Sequence, residues 1–233
     1  MMSKLYEFLE LLYDQVGRGI YVWGGDGELL DDMDKPIAWI ERHESKASDA
    51  KRAVSLYKKR LDKGIVNIRA FDCSGLVYWA LHKLGLQKSD VSSRGLYGLC
   101  EDIKKSELRD GDLMFKHNGK RIVHVGVYAN GQVIECKGRD YGVVISKITS
   151  SWNRFGRWKA FAEEPIVEPK IVYVKGKSVR VRKGGSTKYA CIGIAHKGER
   201  YTYLGKADTG WYKIRFKGEE AYISNKSTLT ALQ

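Results

Sequence analysis

The sequence predicts an α+β domain followed by a small all-β domain. Three observations predict this: apolar residues recur at helical spacing up to Gly85, an alternation of period two takes over from Asp110, and beyond the stretch EEPIVEPK only short strand-like runs occur. At 233 residues, with 43% hydrophobic and 11% aromatic content, the chain can bury one good core and a second, smaller one. Two of its three prolines, Pro165 and Pro169, fall inside EEPIVEPK. Proline fixes φ and removes a backbone donor, so 165–169 reads as a linker between a domain at 1–164 and another at 170–233.

The net charge of +13 is unevenly spread: from Lys170 onward there are 14 Lys and Arg against 4 Asp and Glu. A basic tail favours a polyanionic partner, and nucleic acid, anionic lipid and anionic wall polymers all satisfy that requirement. The four cysteines, Cys73, Cys100, Cys136 and Cys191, form no CxxC pair and are too sparse for a disulfide scaffold. With no H-E-x-x-H or Cys/His cluster, no metal site or cofactor is expected. The opening MMSKLYEFLELLYDQVG interrupts its apolar residues with Glu7, Glu10 and Asp14. It reads as an amphipathic helix, not a signal peptide, and no segment reaches transmembrane length. The expectation is synthesis in the cytoplasm without a leader.

The first helix spans about 3–16, with Leu5, Phe8, Leu9, Leu12 and Tyr13 at helical spacing, and Gly17 and Gly19 end it. YVWGG follows at 21–25. A charged segment, 26–70, holds a helix from about Ser48 to Leu61, with Gly64 at its C-terminal end. The next helix starts at Cys73 and stops at Gly85. DLMFK, RIVHVGVY, QVIECK and GVVISKI then form an antiparallel meander, with turns at Asn118-Gly119 and Asn130-Gly131. In the tail, KIVYV, SVRVR, GIAHKGERYTYLG, WYKIRF and EEAYIS build the small all-β barrel or sandwich.

Chemistry concentrates at FDCSGLV. Asp72 is a favourable N-cap, which places Cys73 in the first helical turn, where free N–H groups and the helix dipole lower a thiol pKa. A nucleophile also needs a base. Of the five histidines, His124 is centred in a predicted strand. If Asn130-Gly131 makes a two-residue turn, Tyr128 faces Val133, Val127 faces Ile134 and Gly126 faces Glu135. Glu135 then lies diagonal to His124 on one face, with only a glycine between them, and can hold the imidazole. The opposite face, Val125, Val127, Ile134 and Cys136, is core, which makes Cys136 structural. Cys73, His124 and Glu135 thus read as nucleophile, base and orienter.

YVWGG, FDCSGLV, GDLMF (111–115) and HVGVY (124–128), in this order, resemble the NlpC/p60 family of bacterial and phage cysteine peptidases. The resemblance implies a papain-like core and hydrolysis of amide bonds in bacterial peptidoglycan stem peptides, commonly after γ-linked D-glutamate. Cys73 and His124 match the family's nucleophile and base. Tyr21 matches a tyrosine near the thiol, and Asp72 and Ser74 match positions that help bind a free L-alanine amine in some members. Two departures stand out. Glu135 occupies a position where the family often carries His, Asn or Gln, and 26–70 replaces a short connection, as a wall over the groove or as an extra surface helix. The tail resembles a bacterial SH3-like domain, which implies binding to the wall, including its anionic polymers, or docking on the catalytic domain. With no leader, the family reading implies an endolysin of phage or prophage type, acting at the wall. The alternatives are a muramoyl-L-alanine amidase on the same fold and a non-catalytic wall-binding protein. Nucleic acid is not the expected partner.

Overall fold

The computed structural model of the chain describes residues 3–162, 170–216 and 219–232. Two compact units divide it, Met1–Pro165 and Ile166–Gln233. The stretch read as a linker, 165–169, lies outside the described residues.

The first unit opens with α1 (Lys4–Gln15), capped by Ser3, whose Oγ accepts the Tyr6 N–H at 3.2 Å. Its apolar stripe buries Phe8, Leu9 and Leu12. Next come β1 (Ile20–Tyr21), β2 (Asp26–Leu29), α2 (Pro36–His43), α3 (Ala47–Asp62) and β3 (Arg69–Phe71). The last strand pairs in parallel with β1 and antiparallel with β2. The 26–70 segment therefore has a core of its own, in which Leu30, Ile40, Ala53, Leu56, Tyr57 and Ile68 pack with Ile20 and Val22. Only α3 was expected there.

Immediately after β3 the chain enters α4 (Cys73–Lys83), and Gly85, at φ +70°, lies beyond its end. Leu76, Val77, Ala80 and Leu81 face the main core, together with Phe8 and Leu12. A short α5 (Ser93–Gly98) leads to a six-stranded sheet of β4 (Cys100–Asp102), β5 (Leu113–His117), β6 (Ile122–Ala129), β7 (Gln132–Cys136), β8 (Val143–Ser146) and β9 (Arg154–Trp158), followed by α6 (Lys159–Ala162). The sheet order is β4-β9-β5-β6-β7-β8. The meander β5 to β8 is the expected one. Strand β9 is an addition, joined to β5 through Leu113–Gly156 and its neighbours.

The two faces of the β6–β7 hairpin differ as the alternation demands. Val125, Val127, Ile134 and Cys136 belong to the main core, whereas Val133 joins Met114 and Trp152 in a separate cluster on the other face. At the turn, Asn130 and Gly131 hold φ of 50° and 74°, as a type I′ connection requires.

The second unit is a seven-stranded antiparallel sheet of β10 (Ile171–Val174), β11 (Ser178–Arg182), β12 (Cys191–His196), β13 (Arg200–Lys206), β14 (Tyr212–Phe216), β15 (Glu219–Ile223) and β16 (Thr230–Leu232), in the order β12-β11-β15-β14-β13-β10-β16. Val172, Val181, Ala195, Ile214, Ala221 and Ile223 form its core.

One close approach fixes how α4 meets the 21–25 loop. A Cβ on Gly75 would lie 1.9 Å from the Gly25 carbonyl oxygen and 2.6 Å from Asp26 Oδ1. Backbone leaves no room to yield, so Gly75→Ala is expected to destabilise the protein by about 3 kcal/mol or more. Denaturant unfolding checks this: a midpoint equal to the parent's would show that loop and helix are not in contact.

Candidate active site

The tip of α4 is held by one carboxylate. Asp72 Oδ1 accepts the Ser74 N–H at 2.8 Å, the Gly75 N–H at 2.8 Å and the Ser74 hydroxyl at 3.0 Å. Its other oxygen, Oδ2, takes the Gly24 N–H at 3.3 Å, and the Asp72 N–H donates to the Gly25 carbonyl at 2.7 Å. The YVWGG loop and the helix tip are thereby joined into one piece, and Tyr21, Asp72, Cys73 and Ser74 come together there. Tyr21 is 8% exposed. Burial raises its phenol pKa, the charges of Cys73 and Asp72 add to the rise, and Arg139 opposes it.

The thiol itself differs from the sequence-based expectation. The backbone N–H groups of Ser74 and Cys73 at the helix tip, and of Val125 in β6, do pull its pKa down. Burial is larger, however, and with help from Asp72 it pushes the Cys73 thiol up to about 11.

The contact with Val125 places that sulphur against β6, one residue from His124. The expected register holds for Ala129–Gln132, Tyr128–Val133 and Val127–Ile134 and then stops, one pair short of Gly126–Glu135. Even so, His124 Nε2 and Glu135 Oε2 meet at 2.7 Å. A carboxylate only accepts, so His124 Nε2 carries a proton at this contact. The glycine between them is required: a Cβ on Gly126 would lie 2.6 Å from Val133 Cγ1 and 3.0 Å from both the Ile134 carbonyl oxygen and the Trp152 ring.

Glu135 is a buried acid kept ionised. Its side chain is 2% exposed, and burial alone would raise its pKa. Hydrogen bonds from His124 and Ser146, with the charges of His124 and Lys116, outweigh that and hold it below the usual value. Lys116 stands directly across from His124 in the β5–β6 ladder, 3.7 Å from Glu135 Oε2 and 4.4 Å from the centre of the Trp152 ring. Trp152 in turn lies against the His124 imidazole, with ring centres 5.5 Å apart. Sequence reading missed Lys116, Ser146 and Trp152. A period-two alignment of β5 with β6 would have placed Lys116 near His124, but nothing local marks the other two. Cys136 is fully buried, its sulphur 3.4 Å from the Phe71 carbonyl oxygen, and belongs to the core.

Asp26 lies beside this tip and resists ionisation. Burial, then the charges of Asp90, Asp72 and Glu28, raises its pKa from 3.8 to about 7. An acid whose pKa is raised on folding contributes stability below its unfolded pKa and loses it as pH rises through the folded value. Asp26→Asn is therefore expected to melt higher than the parent at pH 8, with the gain shrinking between pH 7 and 4 and gone below that window. Thermal unfolding across this range checks it, and a gain independent of pH would contradict the assignment.

Residues 57–157 match the NlpC/P60 family model, and 177–229 match that of the bacterial SH3 domain. The Tyr21 loop and most of the 26–70 segment lie outside the first match. Among curated proteins, the chain is 36% identical over 98 residues to a bifunctional muramidase/DL-endopeptidase, CwlT, of Bacillus subtilis, covering 38% of this chain and 29% of that protein. It is 33% identical over 129 residues to a probable endopeptidase p60 of Listeria grayi, covering 52% of this chain and 24% of that one. The chain thus spans about a quarter of the length of these relatives. Among solved structures, the P60 domain of an antigen from M. avium subspecies paratuberculosis aligns with 66% of this chain and 93% of its own, at 23% identity and a TM-score of 0.43.

Proposed function

We propose that this chain, which carries an NlpC/P60 domain followed by a bacterial SH3 domain, is a cysteine endopeptidase that cuts an amide bond in the stem peptides of bacterial peptidoglycan. The observation that carries the proposal is the 2.7 Å pairing of His124 with the buried Glu135, on the strand whose next N–H points at the Cys73 sulphur.

In this reading the Cys73 thiol is a poor nucleophile at rest, because burial keeps it protonated. His124 Nδ1 takes the proton as sulphur attacks the carbonyl, and Glu135 stabilises the imidazolium that forms. The oxyanion is met by the N–H of Cys73 and by the Tyr21 phenol. Collapse breaks the C–N bond as His124 returns the proton to the leaving amine, which leaves a thioester on Cys73. Water, deprotonated by His124, then cleaves the thioester and restores the thiol.

For the finer specificity, the bond after γ-linked D-glutamate is favoured by the acidic surroundings of the tip. Asp72, Asp90 and Asp26 influence one another electrostatically there, and they suit the free amine of a trimmed stem peptide. The SH3 unit, with its surplus of basic residues, holds the enzyme on the wall and its anionic polymers.

Cys73→Ala is expected to abolish release of peptide fragments from purified sacculi, and mass spectra of the parent's products identify the scissile bond by the new amine. A Cys73→Ala variant that cleaves as fast as the parent removes the mechanism. Glu135→Gln keeps the shape but loses the charge that supports the imidazolium. It is expected to lower kcat by about 10²-fold to 10⁴-fold. Single-turnover kinetics read this, and an unchanged rate would reduce Glu135 to a packing residue.

A further inference from the structure

The 26–70 segment reaches the active site through a buried carboxylate. Glu44, at the C-terminal end of α2, has a fully buried side chain. Its Oε1 accepts the Trp23 N–H at 3.2 Å, and its Oε2 accepts the Arg139 Nε–H at 3.0 Å. Arg139 belongs to the connection between β7 and β8, and its guanidinium carbon lies 4.8 Å from the centre of the Tyr21 ring. The same connection is gripped twice more from α3. Arg52 Nε donates to Asp140 at 2.9 Å, and an Arg60 guanidinium N–H donates to the Tyr141 carbonyl at 3.3 Å.

We propose that Glu44 is a positioning residue for catalysis, so that the 26–70 segment is a brace built into the active site. One carboxylate fixes both supports of Tyr21: the backbone of the loop that carries it and the arginine that covers its ring. Surface ion pairs such as Arg52–Asp140 contribute little rigidity alone, whereas a desolvated carboxylate engaged at both oxygens has one arrangement. Tyr21 lies within electrostatic reach of Cys73 and Asp72, so a shift of its ring is felt at the thiol. Trp23, 62% exposed, is presented by the same loop.

This inference rests on the reading of Cys73 as the nucleophile, and the test separates the two. In the full chain, Glu44→Gln, Arg139→Met and the double variant are compared with the parent. The double variant leaves no unpaired buried charge, so it keeps the test alive if a single variant fails to fold. The readouts are kcat and KM on a purified muropeptide, per folded molecule, and the rate of Cys73 alkylation by iodoacetamide, located by peptide mass spectrometry. Each single variant is expected to lose about 10-fold in kcat, and the double no more than the worse single, because the two groups act as one unit. Cys73 alkylation changes by more than about twofold, while that of the exposed Cys191 stays constant. A lower melting temperature with kcat and Cys73 alkylation as in the parent would overturn the brace, as would losses that simply add. A parent that cannot turn over the muropeptide would sink the peptidase reading, and the alkylation rates would still decide the brace.

Discussion

The carboxylate of Asp72 is the constraint on which the site depends. Together with the backbone N–H of its own residue it ties two segments distant in sequence, the start of α4 and the 24–25 turn. An N-cap ordinarily satisfies one or two free amides of a helix. Here the same group also sets the distance between the thiol and the Tyr21 loop, and that distance is short enough to demand glycine at position 75. The Cys73 thiol therefore sits where two backbones meet, and its position does not rely on flexible side chains.

Burial runs through the electrostatics of the whole tip. It raises the pKa of Cys73, Tyr21 and Asp26, all close to the cap. Glu135 is the exception: burial acts on it as well, but His124, Ser146 and Lys116 more than compensate. In the proposed mechanism, an acid kept ionised beside a histidine suits the transfer of a proton from the Cys73 thiol to the imidazole. In that mechanism the Glu135 charge is in place before substrate arrives, so the proton transfer would need little reorganisation.

What could be seen in the sequence was what local rules encode. The capped start of α4 follows from Asp72, and the shared face of His124 and Glu135 follows from period two and an Asn-Gly turn. Long-range pairings were not legible. Strands β1 and β3 have two and three residues and exist because they pair across about fifty positions. Glu44 and Arg139 are 95 residues apart, and no pattern in either neighbourhood announces the other. The thiol's environment divides the same way: the helix end that lowers its pKa is local, whereas the burial that raises it is tertiary. The parting of β6 and β7 beyond Val127–Ile134 has no local signal either, since ideal pairing continues to the ends of both strands.

The central claim is that a thioester forms on Cys73 at the capped tip of α4. Its most direct test is to quench the full chain in acid during turnover of a stem-peptide substrate, then measure intact and proteolysed masses. The account predicts an adduct equal to the acyl half of the substrate, located on the peptide that contains Cys73 and absent from those with Cys100, Cys136 and Cys191. Rapid product formation with no adduct, or an adduct on another cysteine, would contradict it.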